Sequence, residues 1–166
     1  MRHIISILLQ NEAGALARVA GAFSSRGYNI DSLCVAPTHD PTLSRLSLVT
    51  QGSDAVIDQI IKQTRKLVDV VEIVDLSSQD HIECELLMLK LEVHPPMARS
   101  VVDCVRRHRA VMLDESEHTR MVQFSGAASE ADAFLREVSA LVPVLEIARS
   151  GVAAMARGRE ALRPPA

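Results

Sequence analysis

Residues Arg2 to Gln10 read RHIISILLQ, and after the polar pair Asn11-Glu12, residues Gly14 to Gly27 read GALARVAGAFSSRG. The first stretch is rich in β-branched and aliphatic residues, the composition of a strand with apolar groups on both faces. In the second, Leu16, Val19, Ala20 and Phe23 fall at i, i+3, i+4 and i+7, one stripe of a helix. Gly27 then supplies a helix-ending residue that tolerates a positive φ. A strand leading at once into an amphipathic helix predicts a helix laid on a sheet. Working outward, Ile30 to Ala36 reads as a second strand, Pro37-Thr38-His39-Asp40-Pro41 as a turn and Leu43 to Gln51 as a third strand. Ile57, Ile60, Ile61 and Thr64 mark a second helix after Gly52-Ser53-Asp54, and Val68 to Leu76 a fourth strand. The order is βαββαβ.

The second half repeats that order with little letter-by-letter similarity. Ile82 to Val93 is a strand, and Pro95-Pro96 opens a helix from Pro96 to His108 with Met97, Val101, Cys104, Val105 and His108 on one face. Ala110 to Asp114 and Arg120 to Ser125 form a hairpin, Ala131, Phe134, Leu135 and Val138 another helical stripe, and Val144 to Ala148 a last strand. The expected class is therefore α+β, two ferredoxin-like βαββαβ modules at 1–77 and 82–151, joined by Ser77 to His81, with a flexible Ala/Arg/Pro-rich tail at 152–166. Modules this small bury proportionally little surface, and Ile4 and Leu8 oppose Ile5, Ile7 and Leu9 on the first strand. Self-association, at least to a dimer, is the expected remedy.

Composition narrows the function. Of 166 residues, 48% are hydrophobic and 23% charged, enough apolar material for a core, and the net charge of −3 gives no field to draw nucleic acid or an anionic membrane. Three widely spaced cysteines, Cys34, Cys84 and Cys104, read as reduced thiols, and no apolar run approaches a membrane span, so the expected compartment is the cytoplasm. An RNA-binding version of this scaffold needs exposed aromatics on its central strands, and Ser44 to Val49 has none. A metal-carrier version needs paired thiolates in the loop after strand one, where this chain has Asn11-Glu12-Ala13-Gly14. A phosphate-cradling hydrolase needs an arginine in that loop, and the first one downstream is Arg18, already in the helix.

What the loop does offer is a helix N-terminus, whose first amides lack intrahelical partners and attract a carboxylate. Gly14 removes a Cβ where a ligand approaches the backbone, while Asn11 and Asn29 supply short amides that donate and accept. Together they suit a zwitterionic amino acid. The same letters also serve a plain scaffold, with Asn11 as a cap, Gly14 relaxing a turn and Asn29 in a left-handed conformation after Gly27. Residue chemistry alone leaves the two readings open.

The run Asn11 to Gly52 resembles the N-terminal ACT domain of the acetolactate synthase (acetohydroxyacid synthase) small-subunit family, above all in Arg26-Gly27-Tyr28-Asn29-Ile30 and in Ala36-Pro37-Thr38 through Asp40 to Arg45. The likeness continues in Lys66-Leu67-Val68-Asp69-Val70 and returns at Asp132 to Leu135 and Ala148 to Gly151, but is thin between Pro95 and Ser129. The resemblance implies a homodimer without catalytic residues, cofactors or metal of its own. It would attach to a catalytic large subunit carrying thiamine diphosphate, Mg²⁺ and FAD, in the biosynthesis of valine, leucine and isoleucine. It further implies feedback inhibition by valine, held at the dimer interface by Asn11, Gly14, Ala15 and Leu16 of one chain and Asn29 and Ile30 of the other. A free-standing ACT-type amino-acid sensor for another enzyme is the alternative.

Other candidate chemistry is weaker. Cys104 and His108 share a helical face at i, i+4, yet Val101 and Val105 flank them and no further ligand is evident, so no metal site is expected. Asp114 to His118 sets carboxylates beside an imidazole at an expected hairpin tip, where solvated charge is the ordinary reading. Arg157, Arg159 and Arg163 in the tail suit contact with the catalytic subunit.

Overall fold

The computed structural model describes residues 1–165, which divide into two units, residues 1–82 with the chain from 151 onward, and residues 83–150. The first unit contains β1 (Arg2–Gln10), α1 (Ala15–Ser24), β2 (Ser32–Pro37), β3 (Leu43–Gln51), α2 (Asp54–Thr64) and β4 (Val70–Asp75). Its four strands lie in the order β2-β3-β1-β4, each neighbouring pair antiparallel. The register sets Ile5 opposite Leu48, and Ile7 between Leu46 and Ile73. These side chains and Leu9 meet Val19 and Phe23 of α1 and Ile57 and Ile60 of α2 in one core. Each fully buried side chain of that size contributes about 1.5–3 kcal/mol, so Val19 and Phe23 of the stripe read from the sequence hold α1 to the sheet, whereas Leu16, expected on that stripe, is exposed.

The opposite face of β1 is buried as well, at Ile4, Ser6 and Leu8. The structure of this unit differs from the sequence reading in one further respect. The last strand does not stop at Ala148, and residues 152–156, expected as a tail, are strand. Val152 and Ala154 are buried in the first unit. The Val152 amide donates to Ser32 Oγ at 3.0 Å, and Arg45 Nη2 donates to the Ala154 carbonyl at 2.6 Å. Backbone pairing and small apolar side chains make a strand of what composition alone read as loose chain.

Further elements are β5 (His81–Glu92), a single 3-10 turn at Pro95–Met97, α3 (Ala98–Arg107), β6 (Val111–Glu115), β7 (Thr119–Gly126), α4 (Ala128–Leu141) and β8 (Val144–Ala156). They form a second sheet in the order β6-β7-β5-β8. Leu87, Leu89 and Leu91 of β5 and Val122 and Phe124 of β7 pack on Val101 and Val105 of α3 and Phe134 and Val138 of α4. The helix after Pro95-Pro96 begins two residues later than the periodicity suggests, because the prolines open a tighter turn first. One charged pair penetrates this unit: Arg149 grips the buried Glu85 with Nε at 2.8 Å and Nη2 at 2.6 Å, and Asp132 with Nη1 at 2.9 Å. Those carboxylates hold the guanidinium firmly in its charged form. The class is α+β, with two βαββαβ modules in tandem. No helix among the described residues is long and apolar enough to cross a membrane.

Candidate functional site

The loop between β1 and α1 is built around Gly14, which stands at φ +86° as the residue capping α1 and offers no side-chain cap. The Ala15 amide donates to the Glu12 carbonyl at 3.2 Å and the Arg18 amide to the Gly14 carbonyl at 2.9 Å. Among the described residues the amides of Leu16 and Ala17, between them, have no acceptor. No acidic residue occupies the first turn. Two donors without acceptors stand at the positive end of a ten-residue helix, beside a residue without a side chain, an arrangement chemically able to hydrogen-bond a small anion.

Asn11 is less free than its letter suggests. Its Nδ2 donates to the Pro41 carbonyl at 2.9 Å and its Oδ1 accepts from Ser44 Oγ at 3.0 Å, while its backbone amide donates to Thr42. These bonds tie the loop to the start of β3 and engage one of the two Nδ2 hydrogens. Ala15 is buried and Leu16 exposed. Asn29 is exposed, with Nδ2 donating to Asp31 Oδ1 at 2.7 Å and its carbonyl accepting from Thr50 Oγ1 at 2.7 Å. Ile30 packs on the core of the first unit. Among the described residues no hydrogen bond joins the group Asn11 to Leu16 to the group Asn29 and Ile30 within one chain.

Two residues that the sequence reading did not assign to the site shape this loop. Arg18 reaches back from α1 to the buried Asp69, Nε to Oδ2 at 2.5 Å and Nη2 to Oδ1 at 2.7 Å. A Cβ on Gly14 would stand 2.8 Å from Arg18 Nη1, so Gly14 makes room for this guanidinium. The hydrogen bonds with Asp69 raise the Arg18 pKa and lower that of Asp69. The only sequence signal was a cation in the first turn of a helix, where the macrodipole disfavours one unless a carboxylate waits nearby. A separate groove of about 870 Å³, lined by Arg45, Arg65, Glu72 and the chain from Met155 to Arg163, includes none of the loop residues.

A sheet of order β2-β3-β1-β4 under two helices, with a glycine-capped helix start after β1, defines an ACT-type module followed by a second module of the same topology. Residues 5–72 match the family model described as the AHAS small subunit-like ACT domain, and residues 84–158 the model described as the small subunit of acetolactate synthase. The isozyme 3 small subunit of acetolactate synthase from Escherichia coli is 42% identical over 163 residues, spanning 98% of this chain and all of that protein. The small subunit from Haemophilus influenzae is 41% identical over 160 residues, 96% and 98% of the two chains. The crystal structure of the Thermotoga maritima small subunit superposes with a TM-score of 0.87 at 32% identity, covering 96% of this chain and 99% of that one. The chain belongs to the acetolactate synthase small-subunit family.

Proposed function

We propose that this chain is a non-catalytic regulatory subunit that activates the catalytic subunit of acetolactate synthase and makes it sensitive to feedback inhibition by valine. The observation that carries the effector site is the start of α1, where the Leu16 and Ala17 amides lack acceptors below a bare Gly14. An amino-acid carboxylate satisfies those donors, and its ammonium calls for an acceptor in turn. In our reading that acceptor is the Asn29 side chain of a second copy, with Ile30 beside it, so the site is complete only in a homodimer. Thiamine diphosphate, Mg²⁺ and FAD are assigned to the catalytic subunit, and none to this chain.

Regulation then requires that valine bind one dimer geometry better than another, because a ligand shifts an equilibrium only by its differential affinity. A coupling of about 1–3 kcal/mol corresponds to a several-fold to hundredfold change. Gly14→Asp, reconstituted with the catalytic subunit, is expected to lose inhibition by valine, since its carboxylate takes the effector's place. Normal inhibition with a folded, dimeric variant would overturn the site assignment. Pyruvate condensation should rise only when the two subunits are mixed, and turnover by the isolated chain would overturn the non-catalytic reading.

A further inference from the structure

Cys104 and His108 stand one turn apart along α3 and its C-terminal cap, and α4 brings Glu137 to them. One donor atom from each, the thiol sulfur, an imidazole nitrogen and a carboxylate oxygen, all lie within 4.8 Å of one another. His108 Nε2 is 2.6 Å from Glu137 Oε2, and Arg107 holds the other carboxylate oxygen, Oε1. We propose that Cys104, His108 and Glu137 form a binding site for a divalent transition-metal ion of the zinc class, which joins α3 to α4 in the second unit.

The donor set decides the class of ion. One thiolate, one imidazole and one carboxylate suit zinc or cobalt(II) and disfavour magnesium or calcium, which take oxygen ligands. Bonds of about 2.0–2.3 Å in a tetrahedral arrangement place ligand atoms about 3.3–3.8 Å apart. The present cluster reaches that spacing if the His108–Glu137 contact opens by about 1 Å, with the ion replacing the proton between them, and if the sulfur, which lies within 4.8 Å of the other two donors, closes to the same range. Both of those side chains are partly exposed, 19% for His108 and 38% for Glu137, which gives the ion a path from solvent to the buried sulfur. The Phe134 ring lies 5.2 Å from the imidazole and restrains its plane. Arg107 is an adverse charge. It occupies Oε1, leaves Oε2 for the ion and keeps the carboxylate aimed, while thiolate and carboxylate together supply two negative charges.

Burial pushes the Cys104 thiol up, so without metal the sulfur is protonated. Binding releases that proton to solvent, Nε2 gives its lone pair with the ring hydrogen on Nδ1, and a water fills the fourth position.

Cobalt(II) titration of the reduced, metal-free, untagged chain tests the site, because thiolate ligation of cobalt gives a charge-transfer band in the near ultraviolet. In Cys34→Ser/Cys84→Ser, Cys104 is the remaining thiol. The band should appear there at one ion per chain and be bleached by zinc; its absence overturns the proposal. Adding Cys104→Ser should abolish it, and a band that persists also overturns the proposal. Loss of an outer partner of a metal ligand already costs 10–100-fold in affinity, so removal of a direct ligand in Glu137→Gln should weaken cobalt binding at least about tenfold. Unchanged affinity in that variant would remove Glu137 from the site and with it the three-ligand assignment.

Discussion

Arg18 closes on both oxygens of Asp69, with Nε and Nη2 at 2.5 and 2.7 Å, from the first turn of the helix that follows the Asn11 to Gly14 loop. The pair fastens that turn to the chain just before β4, and the Gln10 amide bonds the Asp69 carbonyl at 2.8 Å. A displaced Arg18 would therefore disturb the loop, the helix start and the β1 end together.

Acid should expose this pair. Arg18 holds the folded Asp69 carboxyl below its ordinary value, which is about 3.9 in an unfolded chain. Its stabilising effect is fully present above that unfolded value and is lost as pH falls through the lower folded value. Wild type should exceed Asp69→Asn in urea midpoint by a constant margin above about pH 5, with the margin closing below about pH 3.9. A margin independent of pH would assign the effect to packing instead.

Gly14→Ala and Gly27→Ala both place a side chain at positive φ, +86° and +75°, a conformation that costs about 1–2 kcal/mol. At Gly27 the new Cβ meets open space, whereas at Gly14 it meets the Arg18 guanidinium. The Gly14 variant should be the less stable of the two in denaturant titrations. Equal losses would mean that Arg18 yields without cost.

Arg149→Ala strands Glu85, which is only 4% exposed, without its charged partner. Breaking a buried pair from one side costs about 3–5 kcal/mol, and because Arg149 is itself 36% exposed, the loss should fall near or below the lower figure. The double variant Arg149→Ala/Glu85→Leu should recover part of it by removing the orphaned carboxylate. Calorimetry of the three proteins measures both steps.

Truncation separates the two parts of the C-terminal segment. A chain ending at Ser150 loses the buried Val152 and Ala154, the amide that bonds Ser32 and the carbonyl that Arg45 bonds. Its Tm should drop by about 2–8 °C, the shift expected for a loss of about 1–2 kcal/mol in a protein of this size. A chain ending at Ala156 keeps these contacts and should lie closer to wild type.

Much of the fold is readable because its signal is local. The i, i+3, i+4, i+7 stripe of Leu16, Val19, Ala20 and Phe23 and the apolar run of β1 follow from backbone geometry, and the βαββαβ order emerges from them. Half of the candidate site is equally readable, since Gly14 and the helix start sit in one continuous segment. Asn11 shows where such reading stops: its letter indicates a free amide, but Ser44 and Pro41 engage both ends of it.

By itself the sequence determined the periodicities, the two modules and the chemistry available at the start of α1, because each is set by neighbours within a few residues. The tertiary structure alone decided which distant groups meet. Asp69 reaches Arg18 across 51 positions, Glu137 reaches His108 across 29, and Ala154 reaches Arg45 across 109. Those pairings depend on strand register and helix docking, which the packing of whole faces selects and no local spacing encodes.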